Sequence, residues 1–192
     1  INMMNAMSQN FTKLENYLDT KITGKLTPGV QFIVADASGI LYEYNNGLAN
    51  IGNNEEVNSH TQFKMYSSTK LLTMLAIMQL VELGKVALDA PVSSYLNCDI
   101  PEEVTVRKTL SHTAGFSRYP FVKEIHLAKE NQGFNYSEFI SEMIPKHQKL
   151  SYKPGSKNSY SNAGYLYLSA IVEKVSGMKY EDYIKENIVK KV

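Results

Sequence analysis

The sequence predicts an α/β (α+β) fold in which an antiparallel hairpin, preceded by a helix, gives way to a mainly helical region. Three observations carry this. Two runs rich in β-branched and aromatic residues, Val30 to Ala35 and Ile40 to Tyr44, flank the turn-forming tetrad Asp36-Ala37-Ser38-Gly39. Helical spacing of apolar residues precedes the hairpin and recurs along everything after Phe63. No further strand-like run follows Tyr44, so the sheet reads as incomplete, because two strands alone make a marginal sheet. The division expected is a helix-and-hairpin part over residues 1–60 and a mainly helical part over residues 61–192.

Each element has a local reason. Met7, Phe11, Leu14, Leu18 and Ile22 recur at threes and fours, an amphipathic helix closed by Gly24. Pro28-Gly29 breaks that pattern ahead of the hairpin, and Asn45 to Ser59, with Asn45-Asn46-Gly47 and Gly52-Asn53-Asn54, reads as turn and loop. Ser67 to Leu83 is apolar nearly all round, the pattern of a central buried helix, with Gly84 as its C-terminal stop. Thr105 is placed to cap a short helix through Leu110, and Ser137 to cap another that stops near Pro145. Leu168, Ile171, Val172 and Val175 share a helix face ended by Gly177, and Tyr180, Tyr183, Ile184 and Ile188 mark a last helix.

Composition narrows the function classes. With 192 residues, 43% hydrophobic and 20% charged, the chain can bury a core without disulfides. Twenty basic against nineteen acidic residues leave a net charge of +1, which offers no electrostatic case for a nucleic-acid or anionic-membrane partner. Cys98 is the single cysteine, read as a small part-buried residue, and His60, His112, His126 and His147 form no HxxxH pair, so no metal site is expected. No stretch approaches the ~20 apolar residues of a membrane span, and no signal peptide is visible after Ile1.

Ser67-Ser68-Thr69-Lys70 places a serine and a lysine at i and i+3, on one helix face one turn apart. A serine at a helix N-terminus meets backbone N–H groups and a dipole that favour developing negative charge, and a lysine against apolar surface can lose its proton more easily. The bland alternative for Ser67 is a plain N-cap. A second match, Ser176-Gly177-Met178-Lys179, straddles a helix end and has the wrong geometry. Tyr160-Ser161-Asn162 follows Pro154-Gly155 at a helix start: a tyrosine near an ammonium can act as a base, and Asn162 can hydrogen-bond a lysine or a substrate amide. Tyr44-Asn45-Asn46 and Tyr95-Leu96-Asn97 match the same pattern, so the tripeptide alone is weak. His112 at the Ser111-His112-Thr113-Ala114-Gly115 turn reads as structural rather than as a base, and Arg107, Lys108 and Lys123 as solvated charge.

Taken together and in order, Phe63-Lys64-Met65-Tyr66-Ser67-Ser68-Thr69-Lys70, Leu80 to Val92, Thr105 to Phe116, and Pro154-Gly155 before Tyr160-Ser161-Asn162-Ala163-Gly164-Tyr165 resemble the serine β-lactamase and penicillin-binding protein superfamily. The resemblance is to its class C-like branch of class C β-lactamases, D-Ala-D-Ala carboxypeptidases, D-aminopeptidases and esterases, and it runs from about residue 10 to the end of the chain. It implies a β-lactamase/transpeptidase-like fold. It makes Ser67 the acylated nucleophile, Lys70 its proton partner, Tyr160 the general base or proton shuttle, and Asn162 the residue that orients substrate and Lys70. It implies no cofactor, a small-molecule or peptidoglycan-like substrate attacked at an amide, β-lactam or ester carbonyl, and an extracytoplasmic location. His112 is structural in that family, and Ala114 stands where a serine is frequent.

The family's third motif, Lys-Thr-Gly or His-x-Gly on a sheet strand, has no counterpart after Tyr160. That strand supplies one oxyanion-hole N–H, and losing one such donor costs about 3–4 kcal/mol of transition-state stabilisation. The expectation is therefore the N-terminal portion of a hydrolase, weakly active or inactive alone, whose open sheet edge could pair with another chain or with the missing part. The rival is a binding module that keeps a cleft for peptidoglycan or a β-lactam without the chemistry.

Overall fold

A computed structural model describes residues 3–118 and 135–191, and the chain divides into two compact units, Ile1–Lys64 and Met65–Val192. Lys123 and His126, singled out in the sequence, lie outside the described residues.

In the first unit, the periodic N-terminal segment forms α1 (Met3–Thr23). The β-branched runs form β1 (Gly29–Asp36) and β2 (Gly39–Asn50), joined by a two-residue loop in which Asp36 Oδ1 accepts the Ser38 N–H at 2.7 Å. They pair antiparallel from Gly29↔Gly47 to Asp36↔Gly39, with a register shift at Val34/Ala35. A short β3 (Glu55–Glu56) adds to β2, giving the sheet order β1-β2-β3. The loop expected over Asn45 to Ser59 is thus corrected: Asn45 to Asn50 continues β2, and a third strand follows.

Gly47 is the reason. At φ 83 it lies against Pro28 and Gly29 too closely for any Cβ, and the ladder continues past it through Leu48 N–H to Pro28 O (2.7 Å) and Val57 N–H to Gly47 O (2.9 Å). Turn-forming residues sit inside a strand here because their backbone groups still find ladder partners. α1 meets β2 largely through polar groups: Tyr42 donates to Glu15 (2.7 Å), Tyr44 donates to Asp19, and Asn46 donates to Asp19 (2.8 Å). The Phe11 and Tyr42 rings stack in parallel at 4.1 Å.

The second unit is helical. A 3-10 turn (Tyr66–Ser68) leads into α2 (Thr69–Glu82), followed by α3 (Val106–Leu110), α4 (Tyr136–Lys146), α5 (Asn162–Ser176) and α6 (Tyr180–Asn187). Thr105 caps α3 by accepting the Lys108 N–H, as its position predicts. α4 is capped by Asn135, not Ser137: Asn135 accepts from Ser137 N–H and Glu138 N–H, while the Ser137 hydroxyl reaches Glu173 Oε1 at 2.6 Å. Gly84 (φ 67) and Gly177 (φ 71) end α2 and α5 in the left-handed region.

The burial of the helices departs from the sequence pattern. The central buried helix is α5, where Ala163, Gly164 and every residue from Leu166 to Val172 are buried. α5 packs against α2, α3, α4 and α6. Its small residues permit that: a Cβ on Gly164 would press Thr109 Cγ2 at 3.2 Å and the Phe116 ring at 3.3 Å. α2 buries only the stripe Thr73, Ala76, Ile77 and Leu80, and leaves Leu71, Met74, Leu75 and Met78 between 37% and 57% exposed. Helix-period residues fall on a covered side only where a neighbour exists to cover them, and α5 and α6 line one side of α2. Ile77, Leu80, Tyr167, Leu168 and Ile171 are each less than 2% exposed, and burial of side chains of this size contributes about 1.5–3 kcal/mol apiece. Polar ties add direction: Thr73 and Tyr180 share a buried hydroxyl contact at 2.6 Å, and Gln79 donates to Asn187 O at 3.0 Å.

Candidate active site

All four residues singled out for chemistry belong to the second unit, and their side chains converge. Ser67 sits on the 3-10 turn and Lys70 one turn later in α2. Ser68 is the residue at the N-cap of α2, and no side-chain cap bond forms there. The Ser67 hydroxyl is engaged elsewhere, so a plain N-cap does not describe it: its Oγ lies 2.6 Å from the Tyr160 hydroxyl, across 93 residues of sequence. Lys70 Nζ donates to Ser67 Oγ at 3.3 Å and to Asn162 Oδ1 at 2.8 Å. Asn162 is the first residue of α5, and Ser161 caps that helix by accepting the Gly164 N–H. Thus α2 fixes Ser67 and Lys70, while the capped start of α5 fixes Asn162 and the residue before the cap, Tyr160.

Electrostatics act on the tyrosine. Burial alone would push the Tyr160 hydroxyl up, but the hydrogen bonds to Lys70 and Ser67 and the charges of Lys70 and Arg118 outweigh it and bring it below the usual tyrosine value. The Lys70 ammonium lies 4.9 Å from the Tyr160 ring centroid and 5.5 Å from that of Tyr165. A serine hydroxyl bonded to an acidified phenol beside an ammonium is an arrangement in which the serine can give up its proton as it attacks an electrophile.

Three contributors escape sequence reading. Tyr66 holds a left-handed backbone (φ 44) immediately before Ser67, a strained placement for a non-glycine residue that aims the following hydroxyl. Arg118 adds positive charge near Tyr160 from the segment after Phe116. The Tyr165 ring faces Lys70 while its hydroxyl is tied to Leu110 O at 3.1 Å. Tyr66 and Tyr165 stand inside the motif blocks, but neither the backbone of the first nor the ring placement of the second is a local signal, and Arg118 lies outside the blocks.

The other matches to the same patterns have other partners in their bonds. Ser176 bonds back to Val172 O (2.6 Å) at the end of α5, with Lys179 beyond the Gly177 turn. Tyr44 belongs to β2, and the Tyr95 hydroxyl accepts the Ala87 N–H at 2.8 Å, bracing a turn. Cys98 is part-buried, and burial followed by the neighbouring Asp99 raises its thiol. Arg107 forks onto Asp89 at the surface (2.7 and 2.8 Å). Among the described residues, no group of three or more His, Cys, Asp or Glu is placed to hold a metal ion, and no helix is long and apolar enough to cross a membrane.

Known proteins resemble this chain in sequence and fold. Penicillin-binding protein 4* of Bacillus subtilis is 28% identical over 167 residues, which cover 81% of this chain and 34% of that protein. A putative D-alanyl-D-alanine carboxypeptidase of Salmonella schwarzengrund is 26% identical over 200 residues, covering 95% of this chain and 46% of that protein. The solved structure of the octameric penicillin-binding protein homologue from Pyrococcus abyssi superposes with a TM-score of 0.79 at 31% identity, over 94% of this chain and 42% of that one. The chain therefore has the β-lactamase/transpeptidase-like fold and spans less than half the length of each of these relatives. The β-lactamase family model matches residues 14–192, and with that extent and that fold the chain belongs to the β-lactamase family, within the superfamily of serine β-lactamases and penicillin-binding proteins.

Proposed function

We propose that Ser67 is an acyl-accepting nucleophile and that the protein is a serine hydrolase acting on an amide, β-lactam or ester carbonyl. The observation that carries this is the 2.6 Å contact between Ser67 Oγ and the Tyr160 hydroxyl, with Lys70 bound to both Ser67 and Asn162. Lys70, as an ammonium, favours the phenolate form of Tyr160. As the Ser67 Oγ–carbon bond forms, the serine proton passes to the Tyr160 oxygen and the carbonyl electron pair moves to its oxygen. Collapse of that intermediate breaks the bond to the leaving amine or alkoxide, which takes the proton from Tyr160. Water then enters by the same route in reverse and releases the acid. Asn162 keeps Lys70 directed at this pair and supplies an amide to the substrate.

The relatives named for penicillin binding and for D-alanyl-D-alanine carboxypeptidase activity support a small peptide or β-lactam substrate. Because the chain spans less than half of those relatives, the 192-residue polypeptide is expected to form an adduct but to turn over weakly. The test is labelling with a fluorescent penicillin and with a fluorophosphonate, read by intact mass and peptide mapping. An adduct on Ser67, absent in Ser67→Ala, supports the reading. Reversible binding that is unchanged in Ser67→Ala, with no adduct, replaces it with a binding module.

A further inference from the structure

We propose that His112 is a positioning residue that holds the Tyr160 hydroxyl against Ser67, and that it does so only with Nδ1 unprotonated. This rests on the hydrolase reading of the site and assigns a role to a residue that touches neither Ser67 nor a substrate.

The geometry is a bracket. Ser159 N–H donates to His112 O at 2.8 Å, and Ser161 N–H donates to His112 Nδ1 at 3.2 Å. The two bonds fall on either side of Tyr160 in the chain, so the one residue between them has its backbone held from both ends. The imidazole then packs on the Tyr160 ring at 4.6 Å, tilted by 38°, and on the Tyr165 ring at 5.1 Å, tilted by 34°. His112 reaches this place by a left-handed backbone (φ 58) just past the end of α3, a conformation that histidine and asparagine tolerate better than most residues.

Neighbouring bonds along the same seam are indifferent to side-chain identity on the α3 side: Asn158 donates to Ser111 O at 2.8 Å and Gly155 N–H to Thr113 O at 2.8 Å. The bond to Ser161 is different, because only a neutral imidazole with its proton on Nε2 offers Nδ1 as an acceptor. Protonation at Nδ1 sets one N–H against another and opens the bracket on the side that leads into the α5 cap. Among the described residues, the ionisable groups at the ring are Lys70 from α2, Tyr160 from the segment before α5, and Tyr165 from α5. Burial, with the Lys70 charge second, holds His112 below its ordinary 6.5 and so favours the neutral ring, while the Ser161 N–H selects the tautomer that leaves Nδ1 as acceptor.

The experiment follows the Tyr160 hydroxyl directly, by NMR of 13C-labelled tyrosine, alongside the Ser67 acylation rate with a fluorophosphonate. His112→Phe keeps a ring on Tyr160 but removes the acceptor; His112→Asn tolerates the backbone and returns an acceptor at the Nδ1 position. The expected result is that His112→Phe raises the Tyr160 midpoint toward an ordinary tyrosine and slows acylation about tenfold, whereas His112→Asn recovers most of both. In wild type, the 15N shifts of His112 are expected to show the Nε2–H tautomer at about pH 8, and acylation to fall more steeply below pH 6.5 than in His112→Asn. An Nδ1–H tautomer, or a Tyr160 midpoint unmoved in His112→Phe, overturns the proposal. Should His112→Phe not fold, the wild-type tautomer and the wild-type against His112→Asn pH profiles decide it alone. Absence of any Ser67 adduct in wild type would refute the hydrolase reading instead, with the tautomer and the Tyr160 midpoint still reporting on the bracket.

Discussion

The two units of the chain hold their shapes by different means. In Ile1–Lys64, Val57 is the one buried hydrophobic side chain among the described residues, and Ile33, Ile40 and Leu41 on the hairpin are 45%, 62% and 43% exposed. Its order comes from the strand ladder and from tyrosine and asparagine side chains bonded to Glu15 and Asp19. In Met65–Val192, a continuous core runs from Ala76 to Ile188, and the polar bonds are added to it. A surface network of hydrogen bonds contributes little net stability, since each replaces bonds to water, whereas buried apolar area does not have that competitor. The lesson is that the residues read as catalytic all stand on the unit with the core. Their spacing of 2.6–3.3 Å is a precision that packed helices can hold.

The sharpest way to break this contrast is at the site. Ser67→Ala is expected to abolish the covalent adduct altogether, and Tyr160→Phe to slow acylation by about 10²–10⁴-fold while leaving the melting temperature unchanged, as stopped-flow labelling and calorimetry would show. Equal loss of stability in Tyr160→Phe would mean that the hydroxyl is a structural brace.

Next in size is the core. Ile77→Ala or Leu168→Ala is expected to cost about 2–5 kcal/mol by denaturant unfolding, and Ile33→Ala or Ile40→Ala in the hairpin well under about 1 kcal/mol. By native-state hydrogen exchange, amides are expected to exchange faster across β1 and β2 than across α5. Slower exchange in the hairpin would refute the contrast drawn between the two units.

A smaller effect is set by pH. His112 is held low in the folded chain, so between its folded value and its ordinary 6.5 the unfolded chain binds more protons. The sign is therefore a stability fully present above pH 6.5 and lost as pH falls through the folded value. Urea midpoints of wild type and His112→Asn should converge toward acid, and parallel curves would exclude it. Smaller still, Thr105→Ala removes the cap of α3 and is expected to cost about 1 kcal/mol. On the exposed side of α2, Leu75→Gln is expected to leave the urea midpoint nearly unchanged and to lower dye binding and self-association by light scattering, since Leu71, Leu75 and Met78 form an open apolar stripe.

Much of this was legible in the residues. The helix spacing, the hairpin tetrad, the Thr105 cap and the stops at Gly84 and Gly177 are local signals, and local signals survive folding when nothing competes with them. The misreadings share one cause. Asn45 to Asn50 has a loop composition but lies in β2, and Ser137 has a capping identity but yields to Asn135, because a partner elsewhere in the fold offered the backbone or hydroxyl a better bond. The all-round apolar pattern of α2 predicts full burial, yet burial belongs to pairs of surfaces, and α5, with its small residues, is the helix that others surround.

By itself the sequence determined the helices and the hairpin and singled out Ser67, Lys70, Tyr160 and Asn162, since spacing within a helix turn and a motif block is a property of the chain. Only the tertiary structure decided that two of those pairs meet across 93 and 92 residues, that Tyr160 is acidified, and that His112 brackets it. Those facts depend on distances between elements far apart in sequence, and no local propensity fixes a distance of that kind; the packing of α2, α3 and α5 does.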